Sequence, residues 1–195
     1  FQTQQDVEEV EKICKKVVTV KRKKQWSIQN ILKTGFSSNP FLITGHTSEE
    51  MKTAIKDEMV RETFDLIHVE TFYVFQNLPK VTIPIVLAEH NVEYLVYKRY
   101  ADLLNPLVKP FLLIDIAKIK QKEEKAWEKA TKLIAVSNIE KKIMKRADVS
   151  VIPNGVDTEK FRFRDFQAIP DEKRVLFIGD FKWLQNRDSL EFILK

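Results

Sequence analysis

The stretch TKLIAVSNIEKKIMKRADVSVI, residues 131–152, carries a strand, a helix start, a helix and a second strand in one unbroken run. Lys132-Leu133-Ile134-Ala135-Val136 is a short apolar run of strand character, and Ser137-Asn138-Ile139-Glu140 is a capping box. Helical spacing follows over 138–146, and Val149-Ser150-Val151-Ile152 is again a strand. Strands separated by helices imply a parallel sheet with helices on both faces. In such sheets ligands sit beyond the carboxyl ends of the strands. Polar residues immediately after each strand are therefore the first candidates for function.

The same alternation extends upstream. Phe64-Asp65-Leu66-Ile67-His68-Val69 and Ile83-Pro84-Ile85-Val86-Leu87-Ala88 read as buried strands, each followed by a helical stretch. Helical periodicity covers 92–104, stops near Asn105-Pro106 and resumes from 107 to 130 with Leu112, Ile116, Ile119 and Trp127. Before these, 6–16 reads as an amphipathic helix, 17–20 (Val17-Val18-Thr19-Val20) as a short β-branched run, and 26–33 as a helix. Residues 37–46 read as loop or short strand, and Thr47-Ser48-Glu49-Glu50 as a capping box opening a helix with Met51, Ile55 and Met59. Downstream, Pro153-Asn154-Gly155-Val156-Asp157 is a turn signal, and 158–172 has no sustained period. Arg174 to Gly179 then reads as a fresh buried strand, followed by a helix that Asn186 or Asp188 can cap.

Composition excludes several classes. Only four of 195 residues are glycine, and no two lie closer than ten positions, so neither a dinucleotide fingerprint nor a Walker loop can be written. A hydrophobic share of 44% excludes a disordered chain. One cysteine, Cys14, excludes an internal disulfide and cysteine-rich zinc, which fits a reducing compartment. Cys14 lies on the apolar face of the first predicted helix and reads as a core thiol. The net charge of +5 is a mild excess. Its densest cluster is Lys21-Arg22-Lys23-Lys24 beside Trp26, readable as a solvated patch or as contact with an anionic membrane surface. No stretch approaches a membrane span, and Phe1-Gln2-Thr3 is neither a Met start nor a signal peptide, so this start does not read as the natural N-terminus.

Taken in order, FDLIHVE at 64–70, IPIVLAEHNVEY at 83–94, TKLIAVS at 131–137, VIPNGVDTEKF at 151–161 and VLFIGDFKWLQN at 175–186 resemble group 1 glycosyltransferases of the GT-B fold. The resemblance implies an incomplete N-terminal, acceptor-side Rossmann-like domain over 1–153, lacking the family's first strand and Gly-rich loop. It further implies a linker over 154–172 and the opening strand and helix of a nucleotide-sugar-binding domain over 173–195. It implies retaining transfer of a sugar from a nucleotide diphosphate donor to a glycan or lipid-linked acceptor, with no metal or other cofactor and no nucleic-acid partner. The expected setting is the cytoplasm, with peripheral contact at the inner face of the membrane. The family's paired glutamates fall beyond residue 195, so the chain alone is expected to be inactive. A non-catalytic module of the same fold, binding a membrane surface, acceptor lipid or partner protein through Lys21 to Lys24, Trp26 and 118–132, is the alternative.

Within that resemblance His90 matches the histidine placed beside the donor sugar, and it follows a strand at the carboxyl edge. An imidazole there hydrogen-bonds a sugar hydroxyl or carries charge near a developing anion; capping the next helix is its structural reading. Glu89, Asn91 and Glu93 are candidates for acceptor contact or for ordering the loop. His68 and Glu70 either line the acceptor cleft or are structural polar residues at a strand end. Ser137 either meets a phosphate or serves only its capping box, the capping role being favoured. Asn154 and Gly155 mark the hinge, with glycine permitting positive φ. On the donor side the candidates are Gly179, Lys182, Asn186 and Arg187, of which Lys182 or Arg187 substitutes for the family's Arg and Lys.

Overall fold

The computed structural model describes residues 4–21, 34, 37–102, 105–163, 174–181 and 184–194. The chain divides into two compact units, Phe1–Asn154 and Gly155–Lys195. In the first, four strands form one parallel sheet in chain order: β1 (Ile67–Glu70), β2 (Ile85–Glu89), β3 (Lys132–Ala135) and β4 (Val149–Val151). Register pairs Glu70 with Ala88 and Glu89 with Ala135, so the first three strands end at nearly one level. Leu87, Leu133 and Ala135 are fully buried, as strands covered on both faces require. The α/β class expected from the sequence is the class observed, a Rossmann-like parallel sheet flanked by helices.

The helices of this unit are α1 (Gln4–Glu11), α2 (Phe41–His46), α3 (Glu49–Arg61), α4 (Glu93–Asp102), α5 (Lys109–Lys129) and α6 (Asn138–Met144), with a 3-10 helix at Phe72–Asn77. Ser48 caps α3 by accepting from Met51 N–H at 3.4 Å, while Glu49 and Glu50 meet the positive end of the helix dipole. Pro110 lies in the first turn of α5, where its missing N–H costs no intrahelical bond. Along α5, Ile119, Ala126 and Trp127 join Phe72, Leu87, Leu133 and Val149 in one core, and Ile116 on the same helix is buried as well. Asn77 locks α2, α3 and the 3-10 helix together: its Oδ1 accepts from Ser48 N–H, and its Nδ2 donates to the His46 and Val74 carbonyls. Such a fully satisfied buried amide specifies one arrangement of its neighbours.

Several expectations are corrected. Residues 37–46 include a helix, α2, rather than a loop or short strand. Pro40 stands at its N-cap, Leu42, Ile43 and Gly45 are buried, and the Asp115 carboxylate on α5 accepts from Phe41 N–H at 3.1 Å. Tertiary contact thus overrides a turn-like composition. Cys14 is exposed, not a core thiol, because α1 ends at Glu11 and buries none of its residues. The run 17–20 is not a strand. Val18 lines the wall of an apolar groove of about 530 Å³ together with Met51, Ile55, Phe64 and Leu66, without a ladder partner among the described residues. β1 starts three residues later than expected, leaving Phe64 and Leu66 exposed, and the helical stretch after it is a 3-10 helix. β2 begins after Pro84, which has no N–H to give to a ladder, though its carbonyl accepts from Ile67 N–H at 2.9 Å. The predicted helix 26–33 and residues Arg22 to Trp26 lie outside the described residues, and Lys21 is exposed.

The second unit contains α7 (Leu184–Ile193). The expected strand over 174–179 is not formed: 174–180 has no regular structure, and Val175, Leu176 and Ile178 are each more than 80% exposed. A strand gains its hydrogen bonds only from a neighbour, and the described residues of this unit supply none. Asn186 lies inside α7 rather than at its N-cap, and its Nδ2 donates to the Asp180 carbonyl at 2.9 Å. A Cβ at Gly179 would come within 2.9 Å of the Asn186 side chain, which would have to shift to admit it.

Candidate functional site

β1 and β2 run side by side and deliver three polar side chains to one spot at their carboxyl ends. His68 and Glu70 sit two apart on β1 and so share a face of the sheet; His90 follows directly after β2. One Glu70 oxygen, Oε1, lies 3.0 Å from His68 Nε2, and the other, Oε2, lies 2.8 Å from His90 Nε2. A single carboxylate thus holds two imidazoles, all three groups being about half exposed. A carboxylate oxygen accepts, so the His90 Nε2 that is hydrogen-bonded to it carries the hydrogen, while His68 Nε2 lies within ion-pair distance of the other oxygen. On a neutral ring this leaves Nδ1 with its lone pair, and His90 Nδ1 has no hydrogen bond among the described residues. The site therefore offers a half-exposed imidazole, fixed through Nε2, whose second nitrogen can accept from a hydroxyl, or donate when the ring is protonated.

The turn leaving β1 is strained. Thr71, next after Glu70, has φ 70° and ψ 145°, a conformation costly for a β-branched residue. Its N–H donates to the Ala88 carbonyl at 2.8 Å, and its buried Oγ1 has no hydrogen-bond partner among the described residues. Behind it lies Glu89, only 1% exposed. Oε2 of Glu89 accepts from Phe72 N–H at 3.3 Å and Oε1 from Trp127 Nε1–H at 3.2 Å. Burial first, then the Glu123 carboxylate, pushes the Glu89 carboxyl well above the ordinary range. This carboxylate faces the core and ties the turn, so of its two expected roles the geometry offers loop ordering.

Asn91 is exposed, and Val92 is buried. Glu93 opens α4, and its half-buried carboxyl is shifted upward by burial. Its backbone N–H donates to Glu123 Oε1 at 2.8 Å, and Tyr94 N–H donates to Glu123 Oε2 at 3.2 Å. Glu123 is fully buried on α5 and performs the capping that no residue of the 90–92 turn performs. Desolvation raises its carboxyl to about 8 against the pull of the two amides. Sequence reading missed this residue. The available signal was an acid on the apolar stripe of α5, four residues from both Ile119 and Trp127.

The remaining candidates are dispersed. The Ser137 hydroxyl donates to Glu140 Oε2 at 2.9 Å and accepts from Glu140 N–H at 3.3 Å, so its bonding is absorbed by the cap of α6. Asn154 and Gly155 flank the boundary between the two units and are exposed. Gly155 does not adopt the positive φ expected of it, and a Cβ there would meet nothing within 4 Å. Gly179 and Asn186 touch one another in the second unit, Arg187 is exposed, and Lys182 lies outside the described residues. Among the described residues no group of three His, Cys, Asp or Glu side chains has the arrangement of a metal site. No helix among them is long and apolar enough to cross a membrane.

Neither the curated proteins nor the solved structures include a match to this chain. The family model described as Glycosyltransferase Family 4 matches residues 17–160, more than half of the sequence and all four strands with the His68, Glu70 and His90 cluster, and the chain belongs to that family.

Proposed function

We propose that this domain is the acceptor-side half of a group 1, retaining glycosyltransferase that moves a sugar from a nucleotide diphosphate donor to a glycan or lipid-linked acceptor. The observation that carries the reading is the half-exposed His90 imidazole, held through Nε2 by Glu70 at the carboxyl edge of a parallel sheet. Transfer demands stabilisation of a departing diphosphate, stabilisation of an oxocarbenium-like sugar, and placement of the acceptor hydroxyl. A ring whose Nε2 is fixed by a carboxylate supplies a directed contact to a sugar hydroxyl and, when protonated, positive charge near the leaving group. Gly179, Asn186, Arg187 and Lys182 are assigned to the donor side, with Asn154 and Gly155 at the hinge between domains 1–153 and 173–195. No metal is required in this reading, and the protein works in the cytoplasm with peripheral contact to the membrane.

The test is release of nucleoside diphosphate from UDP-, GDP- and ADP-sugars by the protein carrying this domain together with a donor-binding domain. One donor is expected to be consumed, with the anomeric configuration kept in the product, while the 195-residue chain alone releases nothing. Inverted product, or turnover by the isolated chain, overturns the corresponding part of the reading.

A further inference from the structure

Glu123 and Trp127 stand four residues apart on α5 and therefore on one face of it. They reach the two ends of a single short turn. Trp127 Nε1–H binds Glu89 Oε1 at 3.2 Å, at the residue before His90. Glu123 takes the N–H groups of Glu93 and Tyr94, the first residues after the turn. Only His90, Asn91 and Val92 lie between these anchors, and Val92 is buried. Glu89 also accepts from Phe72 N–H, two residues beyond Glu70, so the turns carrying Glu70 and His90 are both tied to the same helix.

We propose that Glu123 and Trp127 are positioning residues that hold the His90 imidazole against Glu70. Neither reaches the solvent side of the site; Glu123 is fully buried and Trp127 nearly so. Their effect passes through the turn. With one anchor lost, the chain from Glu89 to Tyr94 gains freedom and His90 Nε2 leaves the carboxylate for part of the time. His68 sits on β1 and lies within ion-pair distance of the other oxygen of Glu70, so its place does not depend on this turn. The functional consequence rests on the role given to His90 above, but the positioning itself is measurable without any sugar substrate.

The experiment is carbethoxylation of the histidines by diethyl pyrocarbonate at one pH, with each site followed by peptide mass spectrometry. The quantity read is the ratio of His90 to His68 modification rates. Trp127→Phe keeps the ring but removes the donor, and Glu123→Ala removes both acceptor oxygens. Each is expected to raise the ratio by about threefold or more, the lower end of what one net hydrogen bond is worth. Glu123→Gln, which keeps one acceptor oxygen, is expected to fall between wild type and Glu123→Ala. Circular dichroism identifies which variants fold, and Trp127→Phe with Glu123→Gln carries the test if Glu123→Ala does not. An unchanged ratio in the folded variants, or a parallel rise at His68 and His90 such as general loosening produces, overturns the proposal. Because no donor or acceptor is present, that failure is separable from failure of the transferase reading.

Discussion

Glu70 and Glu89 end adjacent parallel strands, yet one faces solvent between two imidazoles and the other is shut in the core beneath the same turn. Glu70 accepts from His90 Nε2 and lies within ion-pair distance of His68, in a half-exposed cluster accessible to a ligand. Glu89 and its neighbour Glu123 accept from backbone and indole N–H groups, which leaves them nothing to offer outside. The difference is burial. In the core an acceptor left unmatched is costly, so these carboxyls serve as internal fasteners; at the edge water stands in for a missing partner. The half-exposed set is accessible to a ligand, and the buried set ties the turn beside it.

The sharpest way to break this contrast is through the buried partner. Glu123→Ala strands two backbone N–H groups and is expected to lower unfolding free energy by about 3 kcal/mol in urea titration. A loss below about 1 kcal/mol would show that the two amides are readily satisfied otherwise. Next comes pH. The Glu123 carboxyl is raised from 4.5 to about 8 in the folded protein. Between those values the native state binds a proton that the unfolded chain has released. Its contribution to stability is therefore complete below about 4.5 and is lost as pH rises through about 8, at up to about 1.4 kcal/mol per pH unit. Glu89 acts in the same direction. Urea midpoints are expected to fall from mildly acidic pH towards pH 8, and less steeply in Glu123→Gln; identical slopes in the two proteins would contradict the assignment. The smallest effect belongs to the open carboxylate. Glu70→Gln, at a half-exposed pair, is expected to change stability by less than about 1 kcal/mol. A larger loss would put Glu70 among the fasteners.

Much of this arrangement was readable in the sequence, and the omissions have a common cause. β2, β3 and β4 are apolar runs bounded by turn chemistry, and Ser137 with Glu140 announces a helix start, so both were placed close to where they occur. His90 was legible because position after a strand is enough to locate an edge residue. What failed depended on partners far along the chain. The runs at 17–20 and 174–179 have strand composition but no ladder partner among the described residues, while α2 forms where Pro40 and Gly45 suggest a turn because Asp115 holds its first N–H. Glu123 sits among Lys120, Lys122, Glu124 and Lys125 and reads as part of a solvated face. Its spacing of four from Ile119 and Trp127 marks it for the apolar stripe, and the N-terminus of α4 packed against it reveals the cap. Pairing of His68 with His90 through one carboxylate likewise requires the β1–β2 register, which composition does not encode.

The central claim is that the exposed cluster, and not the buried carboxyls, meets the reacting sugar. Turnover of His90→Ala in the transferase carrying this domain, taken with its urea midpoint, tests that most directly. Turnover reduced more than tenfold with an unchanged midpoint is the expected result; wild-type turnover in a folded His90→Ala protein would contradict it.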